Sequence, residues 1–349
     1  MSTHPAVLFI GNFLSASVGN RAVSEELTDR LAGSGWRVLT TSSRPGRVAR
    51  MADMLSAVWR YRRVYDVAHI DVYSGPSFVW AEAAALALGK LGKPYILTLH
   101  GGALPEFARR WPSRTRRLLR SAAGVTAPSS YLLEGLRSYG NGLRLIPNAI
   151  ELARYPFRLR DRARPRLVWV RAFHQIYDPS LAVRALALVR RQYPDATLDM
   201  IGPDKHDRSL DAARAVAGEL GVGEAVRFHG AAPKTEIPAW IDRGDIFLNT
   251  TTIDNTPVSV VEAMACGACV VSTRIGGVPH LVRDGAEGLL TEPRDPEAMA
   301  AAVDRLVSTP ALAARLSRSA RSKTEQFDWS IVLPQWHELL ETVAAPGAA

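Results

Sequence analysis

The sequence predicts an α/β protein built as two doubly wound, Rossmann-like domains. Three observations carry that expectation. Short apolar runs alternate with helical patterns along almost the whole chain, the signature of parallel strands covered by helices. At 349 residues the chain exceeds one ordinary hydrophobic core. The rhythm lapses at residues 151–166 (ELARYPFRLRDRARPR), where Pro and Arg recur without period and read as a linker. Domains are therefore expected at 1–155 and 156–325, followed by a terminal helix at 326–343 and a disordered tail at 344–349.

In the first half, strands are read at 7–10, 38–41, 67–70, 95–99, 124–127 and 143–147 from short apolar, largely β-branched or aromatic runs. Between them, helices are read at 21–32, 48–63, 78–91, 103–122 and 131–139. The second half restarts with strands at 167–170, 197–201, 226–229, 246–248 and 268–272. Its helices are read at 179–193, 210–220, 235–242, 258–265 and 296–308, with a long helical tail to 343. Pro257 suits the first turn of the 258–265 helix, where its missing N–H costs nothing, and Gly267 stops that helix.

Composition narrows the class. No apolar run approaches the roughly 18 residues of a membrane span. The start, MSTHPAVLFIGNF, lacks a basic region, and its apolar run covers only residues 6–10. It reads as a first strand rather than a signal peptide, so the chain is expected to be cytoplasmic. Cys266 and Cys269 form a C-x-x-C with no second ligand pair, and read as buried small apolar side chains rather than a metal or redox site. Charge is uneven. Residues 1–150 hold 19 Lys and Arg against 9 Asp and Glu, a net of +10, whereas the remainder holds 24 against 25, a net of −1. A basic N-terminal half points to a polyanionic partner, membrane lipid or nucleic acid.

Residues 245–292 hold the densest pattern. Asp254 and Glu262 lie eight residues apart, one at the mouth of a helix and one about two turns inside. That arrangement suits a ligand laid over the helix N-terminus, with phosphate at the free N–H groups and hydroxyl-rich ends to either side. The segment resembles the donor-site signature of family 4 glycosyltransferases, retaining enzymes of the GT-B fold. In that family an acidic residue, seven intervening residues and a Glu precede Ala-x-Ala-x-Gly and a buried strand. Here stand Asp254, Glu262, Ala263-Met264-Ala265-Cys266-Gly267, Val270-Val271-Ser272 and Gly276-Gly277-Val278-Pro279. Asp254 departs from the Glu usual there. The resemblance implies two domains facing a central crevice, with Phe327-Asp328-Trp329-Ser330 leading a terminal helix back to the first.

Transfer from a nucleotide sugar requires a grip on the nucleoside, neutralisation of the leaving diphosphate and a positioned acceptor hydroxyl. By the resemblance, Glu262 takes the ribose hydroxyls and Asp254 the sugar hydroxyls. Taken alone, Glu262 is also compatible with a surface position, and Asp254 with an N-cap. The helix start at Asn255, Thr256, Pro257, Val258 and Ser259 is expected to bind the diphosphate, its non-proline residues offering N–H donors. Arg171, closing a strand, stands where the family has a phosphate-gripping Arg, and a guanidinium can bind phosphate through two parallel bonds. The family's Lys six residues later is replaced by Tyr177, so Lys205 is the candidate for the missing charge. His100, at a strand tip, is expected to touch the transferred sugar. Gly19 is expected to let backbone approach sugar and phosphate. His174 and Tyr177 read as packing, with a shaping role in donor or acceptor choice as the alternative.

There is no Asp-x-Asp, so metal independence is expected, with no cofactor beyond the nucleotide-sugar donor. No Gly-x-Gly-x-x-Gly follows the first strand, which argues against a dehydrogenase. The resemblance implies retention by front-face transfer, a diphosphate oxygen taking the acceptor proton. On a single helix, Trp111, Thr115, Leu118, Leu119 and Ala122 share one face while Arg110, Arg114 and Arg117 share another, widened by Arg109, Arg116 and Arg120. Such a helix suits anionic lipid on the inner face of a membrane; a solvated basic surface is the plainer alternative. Nucleic acid is not expected, since no binding motif appears. The expected function is a retaining glycosyltransferase acting on a sugar or lipid-linked acceptor in glycolipid, polysaccharide or other glycoconjugate synthesis. The alternatives are a nucleotide-sugar epimerase, which requires further cleft carboxylates, and a non-catalytic nucleotide-sugar or glycan-binding protein, which Tyr177 favours.

Overall fold

Strands that are apolar on both faces need cover on both sides, and each sheet has it. The computed structural model describes residues 4–13 and 23–345. The chain divides into one unit of Met1–Ala149 with Trp329–Ala349 and another of Ile150–Asp328.

The first unit runs β1 (Ala6–Ile10), α1 (Val23–Gly33), β2 (Arg37–Thr41), α2 (Arg47–Arg60), β3 (Val67–Val72), α3 (Phe78–Lys90), β4 (Tyr95–Leu99), α4 (Leu104–Arg110), α5 (Pro112–Arg120), β5 (Gly124–Ala127), α6 (Ser130–Leu136) and β6 (Leu143–Leu145). Its six strands are parallel, in the order β2-β1-β3-β4-β5-β6. Alternate residues serve opposite faces. Leu8, Ile70 and Leu97 join a core with Met54, Phe78 and Leu118, whereas Val7, Phe9 and Ile96 join one with Leu27 and Trp336.

The second unit runs β7 (Arg166–Val170), α7 (Pro179–Gln192), β8 (Thr197–Ile201), α8 (Ser209–Glu219), β9 (Val226–Gly230), α9 (Ile237–Arg243), β10 (Ile246–Asn249), α10 (Val258–Ala265), β11 (Cys269–Thr273), α11 (Val278–Leu281), β12 (Gly288–Thr291), α12 (Pro296–Ser308) and α13 (Pro310–Thr324). Its parallel order is β12-β11-β10-β7-β8-β9. The winding therefore reverses between β7 and β10 here, and between β1 and β3 in the first unit. Ligands of open α/β sheets bind beyond the strand carboxyl ends at such reversals. The last helix, α14 (Trp329–Ala344), belongs to the first unit: Trp329, Val332 and Leu339 pack with Val7 and Phe9, and Trp329 Nε1 donates to Glu26 at 3.0 Å.

Several expectations need correction. The single helix at 103–122 breaks at Trp111 (φ −129°, ψ 59°), because the residue before a proline is driven out of the helical region. Trp111 thereby leaves the face shared by the buried Thr115, Leu118 and Leu119 and is 44% exposed. Pro257 is the cap of α10 with an extended ψ of 110°, not part of its first turn. The helical tail is interrupted by a 3₁₀ turn at Glu325–Phe327, where Ile150 N donates to Phe327 O at 2.9 Å and Leu152 N to Asp328 Oδ2 at 2.9 Å.

Those bonds also anchor the stretch read as a linker. Arg160 is fully buried, donating to Asp242 Oδ1 at 3.0 Å, Gly244 O at 3.0 Å and the carbonyl of Cys266. The stretch lacks a period because individual side chains fix it, and the units divide after Ala149 rather than after residue 155. Cys266 and Cys269 are free and buried, and burial pushes both thiols up to about 12. Residues 346–349, most of the expected tail, lie outside the described residues. Among the described residues no helix is long and apolar enough to cross a membrane.

Replacing Arg160 with Ala strips partners from two buried carbonyls and one ion-pair network. Urea unfolding should show a loss of about 3 kcal/mol. Arg154→Ala, at a side chain 58% exposed, should cost under about 0.5 kcal/mol.

Candidate active site

Four loops of the second unit gather beyond the strand ends at the β7/β10 reversal, and glycine permits their approach. A Cβ on Gly202, after β8, would lie 1.7 Å from Arg171 O. Cβ atoms on Gly276 and Gly277, after β11, would lie 2.1 Å from Asp254 O and 1.9 Å from Asn255 O. The loop after β10 is held firmly: Trp169 Nε1 donates to Thr250 Oγ1 at 2.9 Å, Thr252 N to Ile176 O at 2.7 Å, and Thr273 Oγ1 to Thr251 O at 2.6 Å.

Into this frame α10 points its N-terminus. Its N-cap residue, Pro257, offers no side-chain hydrogen bond, and Asp254 Oδ1 accepts from Asn255 N at 2.8 Å, so the N-cap reading of Asp254 is not realised. Asn255, Thr256, Pro257 and Ser259 are buried, and Val258 is half-buried. Glu262, about one turn in, is 6% exposed and accepts a hydrogen bond from Tyr155 Oη at 2.6 Å. Arg171 pairs with Asp254, and its guanidinium lies 4.2 Å above the Tyr177 ring. Burial lowers the Arg171 pKa, with Tyr177 and Glu262 acting against it. Two buried polar atoms here, Arg171 Nε and Ser259 Oγ, have no hydrogen-bond partner among the described residues, a situation that native structures seldom leave without a purpose.

Lys205 lies in the same group of loops, its backbone N bonded to Phe173 O at 3.1 Å and its side chain exposed. His174 Nδ1 caps the short turn Gln175–Tyr177 through Ile176 N at 3.2 Å, and Tyr177 packs against the core beneath. Both side chains thus have local packing roles. Tyr155 was not anticipated, since it stands in the aperiodic stretch with nothing in its sequence neighbourhood to single it out.

The first unit has its own cluster at the β1/β3 reversal. His100, just past β4, donates from Nε2 to Asp71 Oδ1 at 2.9 Å and stacks on Tyr73 with ring centroids 5.1 Å apart. Ser24 Oγ lies 2.9 and 2.8 Å from the two Asp71 oxygens. Burial works against the Asp71 carboxylate, but His100, His69 and Ser24 outweigh it and hold its pKa below the usual range. A Cβ on Gly11 would sit 2.3 Å from Asp71 Oδ2, so the end of β1 must be glycine for the carboxylate to fit. His69, wholly buried beside it, bonds Thr98 Oγ1 at 2.6 Å, and burial drops its pKa to about 4. The signal for this cluster was two polar residues, His69 and Asp71, in an otherwise apolar strand. Gly19 lies outside the described residues. Among the described residues no group of three or more His, Cys, Asp or Glu could hold a metal ion.

Comparison with known proteins decides the family. The profile described as Glycosyltransferase Family 4 matches residues 20–154, and the one described as Glycosyl transferases group 1 matches residues 164–309. The chain belongs to glycosyltransferase family 4. The glycosyltransferase is 27% identical over 305 residues to the D-inositol 3-phosphate glycosyltransferase of Acidothermus cellulolyticus, covering 78% of this chain and 67% of that one. It is 33% identical over 218 residues to the glycogen synthase of Mycobacterium tuberculosis, covering 60% of this chain but only about half, 51%, of that one. The Anabaena protein Alr3699/HepE, solved in complex with UDP-glucose, superposes with a TM-score of 0.76 at 19% identity, covering 97% of this chain and 100% of that one. The fold is therefore GT-B.

Two outcomes test this geometry in the glycosyltransferase. Unfolded His69 takes up a proton near pH 6.5 and the folded one only near 4, so protons favour the unfolded state between those values. Stability should fall from pH 6.5 downward by about 1.4 kcal/mol per pH unit on this account. In His69→Gln, thermal unfolding at pH 7 and pH 5 should differ less than in wild type. Tyr155→Phe should raise the dissociation constant of the nucleotide by about tenfold in calorimetry, through loss of one hydrogen bond to a charged group.

Proposed function

We propose that the protein is a retaining, metal-independent glycosyltransferase. It moves a sugar from a nucleoside-diphosphate sugar to an acceptor hydroxyl in glycolipid, polysaccharide or other glycoconjugate synthesis. The observation that carries the reading is the buried Glu262, held by Tyr155 about one turn behind the Pro257 start of α10 and close to Arg171. A carboxylate so held accepts from both ribose hydroxyls. The diphosphate then meets the N–H groups of Thr256, Val258 and Ser259 around the Pro257 cap of α10, the Ser259 hydroxyl and the Arg171 guanidinium, with Lys205 adding charge from its loop. Phosphate that takes Arg171 releases Asp254 to the sugar hydroxyls, with Asn255 beside it.

In this reading His100, oriented by Asp71, acts on the transferred sugar. Charge developing on the leaving diphosphate is met by donors already in place, the main electrostatic requirement of the transfer. The diphosphate oxygen takes the acceptor proton on the face it leaves, which retains the anomeric configuration. The donor class agrees with the UDP-glucose of the Anabaena complex, and a polyhydroxylated acceptor agrees with the name of the Acidothermus relative.

The exposed Arg109, Arg110, Arg116, Arg117 and Arg120 support an acceptor presented at an anionic surface such as the inner face of a membrane. Arg114 does not contribute, because it is engaged by Glu82.

A panel of UDP-, GDP- and ADP-sugars, read by nucleoside diphosphate release and by calorimetry, tests the reading. One donor should turn over without added metal, and product NMR should show the donor's anomeric configuration kept. Glu262→Ala should weaken that donor roughly 100-fold, the worth of two hydrogen bonds to a charged group. Full affinity in the variant, or folded wild type that binds no nucleotide sugar, would refute it.

A further inference from the structure

The break between α4 and α5 builds a cavity that the donor chemistry leaves unused. It has a volume of ≈ 480 Å³, within the range of roughly 300–1,000 Å³ usual for small-molecule sites. Val79, Phe107 and Trp111 form its apolar wall, and Glu106, Arg110 and Arg114 its polar rim. Its position is set by the two loops that carry the His100 cluster. Ser74 of the lining follows Tyr73, whose ring stacks on His100, and Ala103 lies three residues beyond His100.

The lining fixes what can enter. Trp111 shows 44% of its surface because Pro112 ends the helix there, and its ring lines the cavity with the Arg110 and Arg114 guanidinium groups 5.8 and 5.7 Å from its centre. Arg114 makes paired bonds to Glu82 at 3.0 and 2.5 Å and lies 5.7, 6.0 and 5.7 Å from the ring centres of Phe78, Phe107 and Trp111. Its charge is therefore already matched, while Arg110 is exposed beside the Trp111 ring. A phosphate would find one exposed guanidinium, Arg110, rather than the convergent cations that strong phosphate sites use. A lipid chain would have to cover charged groups on the rim. A pyranose ring fits both halves: its C–H face lies on an aromatic ring, and its hydroxyls bond the planar carboxylate and guanidinium at the edge.

We propose that this cavity is a saccharide subsite that takes a neutral sugar unit of the acceptor. The proposal rests on the glycosyl-transfer reading and gives its acceptor a class: a glycan or glycoside, bound through an unphosphorylated ring.

The test uses the full chain with methyl glycosides of glucose, galactose, mannose and N-acetylglucosamine, and with inorganic phosphate, each followed by saturation-transfer NMR and calorimetry. At least one glycoside should bind in the millimolar range. Trp111→Ala, which removes the platform, and Val79→Trp, which fills the cavity from the other wall, should each weaken it tenfold or more. Neither variant should alter UDP or GDP affinity. The subsite is overturned if the nucleotide-binding protein takes no glycoside, if both variants keep wild-type affinity, or if phosphate alone competes for the cavity. Absence of nucleotide binding in wild type would instead strike the transfer reading, and glycoside binding lost in both variants would still establish the subsite.

Discussion

Glu262 is a carboxylate at 6% exposure on an eight-residue helix, and a charge at that depth needs hydrogen-bond partners. Much of the second unit follows from meeting that need. The bond comes from Tyr155, so the segment around residue 155 must be fixed to α10. Arg321 Nη1 does this by donating to Tyr155 O at 2.9 Å and Ala265 O at 2.8 Å together. Arg160 and the backbone N of Arg158 serve the carbonyl of Cys266, and Ser317 Oγ that of Gly267 at 2.7 Å. The last carbonyls of α10 are thus satisfied by cations and hydroxyls, as the helix dipole favours. One end is closed by the protein; the other is the end proposed to meet the diphosphate.

The first unit solves a related problem with different parts. Asp71 sits at the end of a buried strand and is made tolerable by a serine, a histidine and the missing side chain of Gly11. In both units an acidic group stands beside a reversal in strand order, and in both a glycine determines how near backbone can come. The charge is fixed before any substrate arrives, which is what electrostatic catalysis asks of a site.

The alternation of short strands and helices was legible because burying both faces of a parallel sheet forces apolar runs. The donor segment was legible for another reason: Asp254, Glu262 and the Gly276-Gly277 turn lie within one continuous stretch. What escaped the sequence was set by contacts between distant positions. Tyr155 meets Glu262 from 107 residues away, and Arg160 is buried among carbonyls with no pattern of its own. The pairing of Arg171 with Asp254 escaped for the same reason. The bend at Trp111 is a different case, since the following proline was visible and the helical period was allowed to override it.

The first unit is assembled from the two extremes of the chain, with α14 completing the face begun by β1 and α1. Trp329 and Glu26, joined through Nε1, are separated by 303 residues. The second unit is one continuous segment, Ile150–Asp328. During synthesis the ribosome therefore delivers every residue of the second unit before it delivers the last helix of the first. The later-encoded unit is free to fold on its own schedule, while the earlier one waits with the apolar side of β1 and β4 uncovered, a surface that a nascent chain exposes at some risk of aggregation. Truncation of a few turns of α14 would reach, through this topology, a strand more than 300 residues earlier in the sequence.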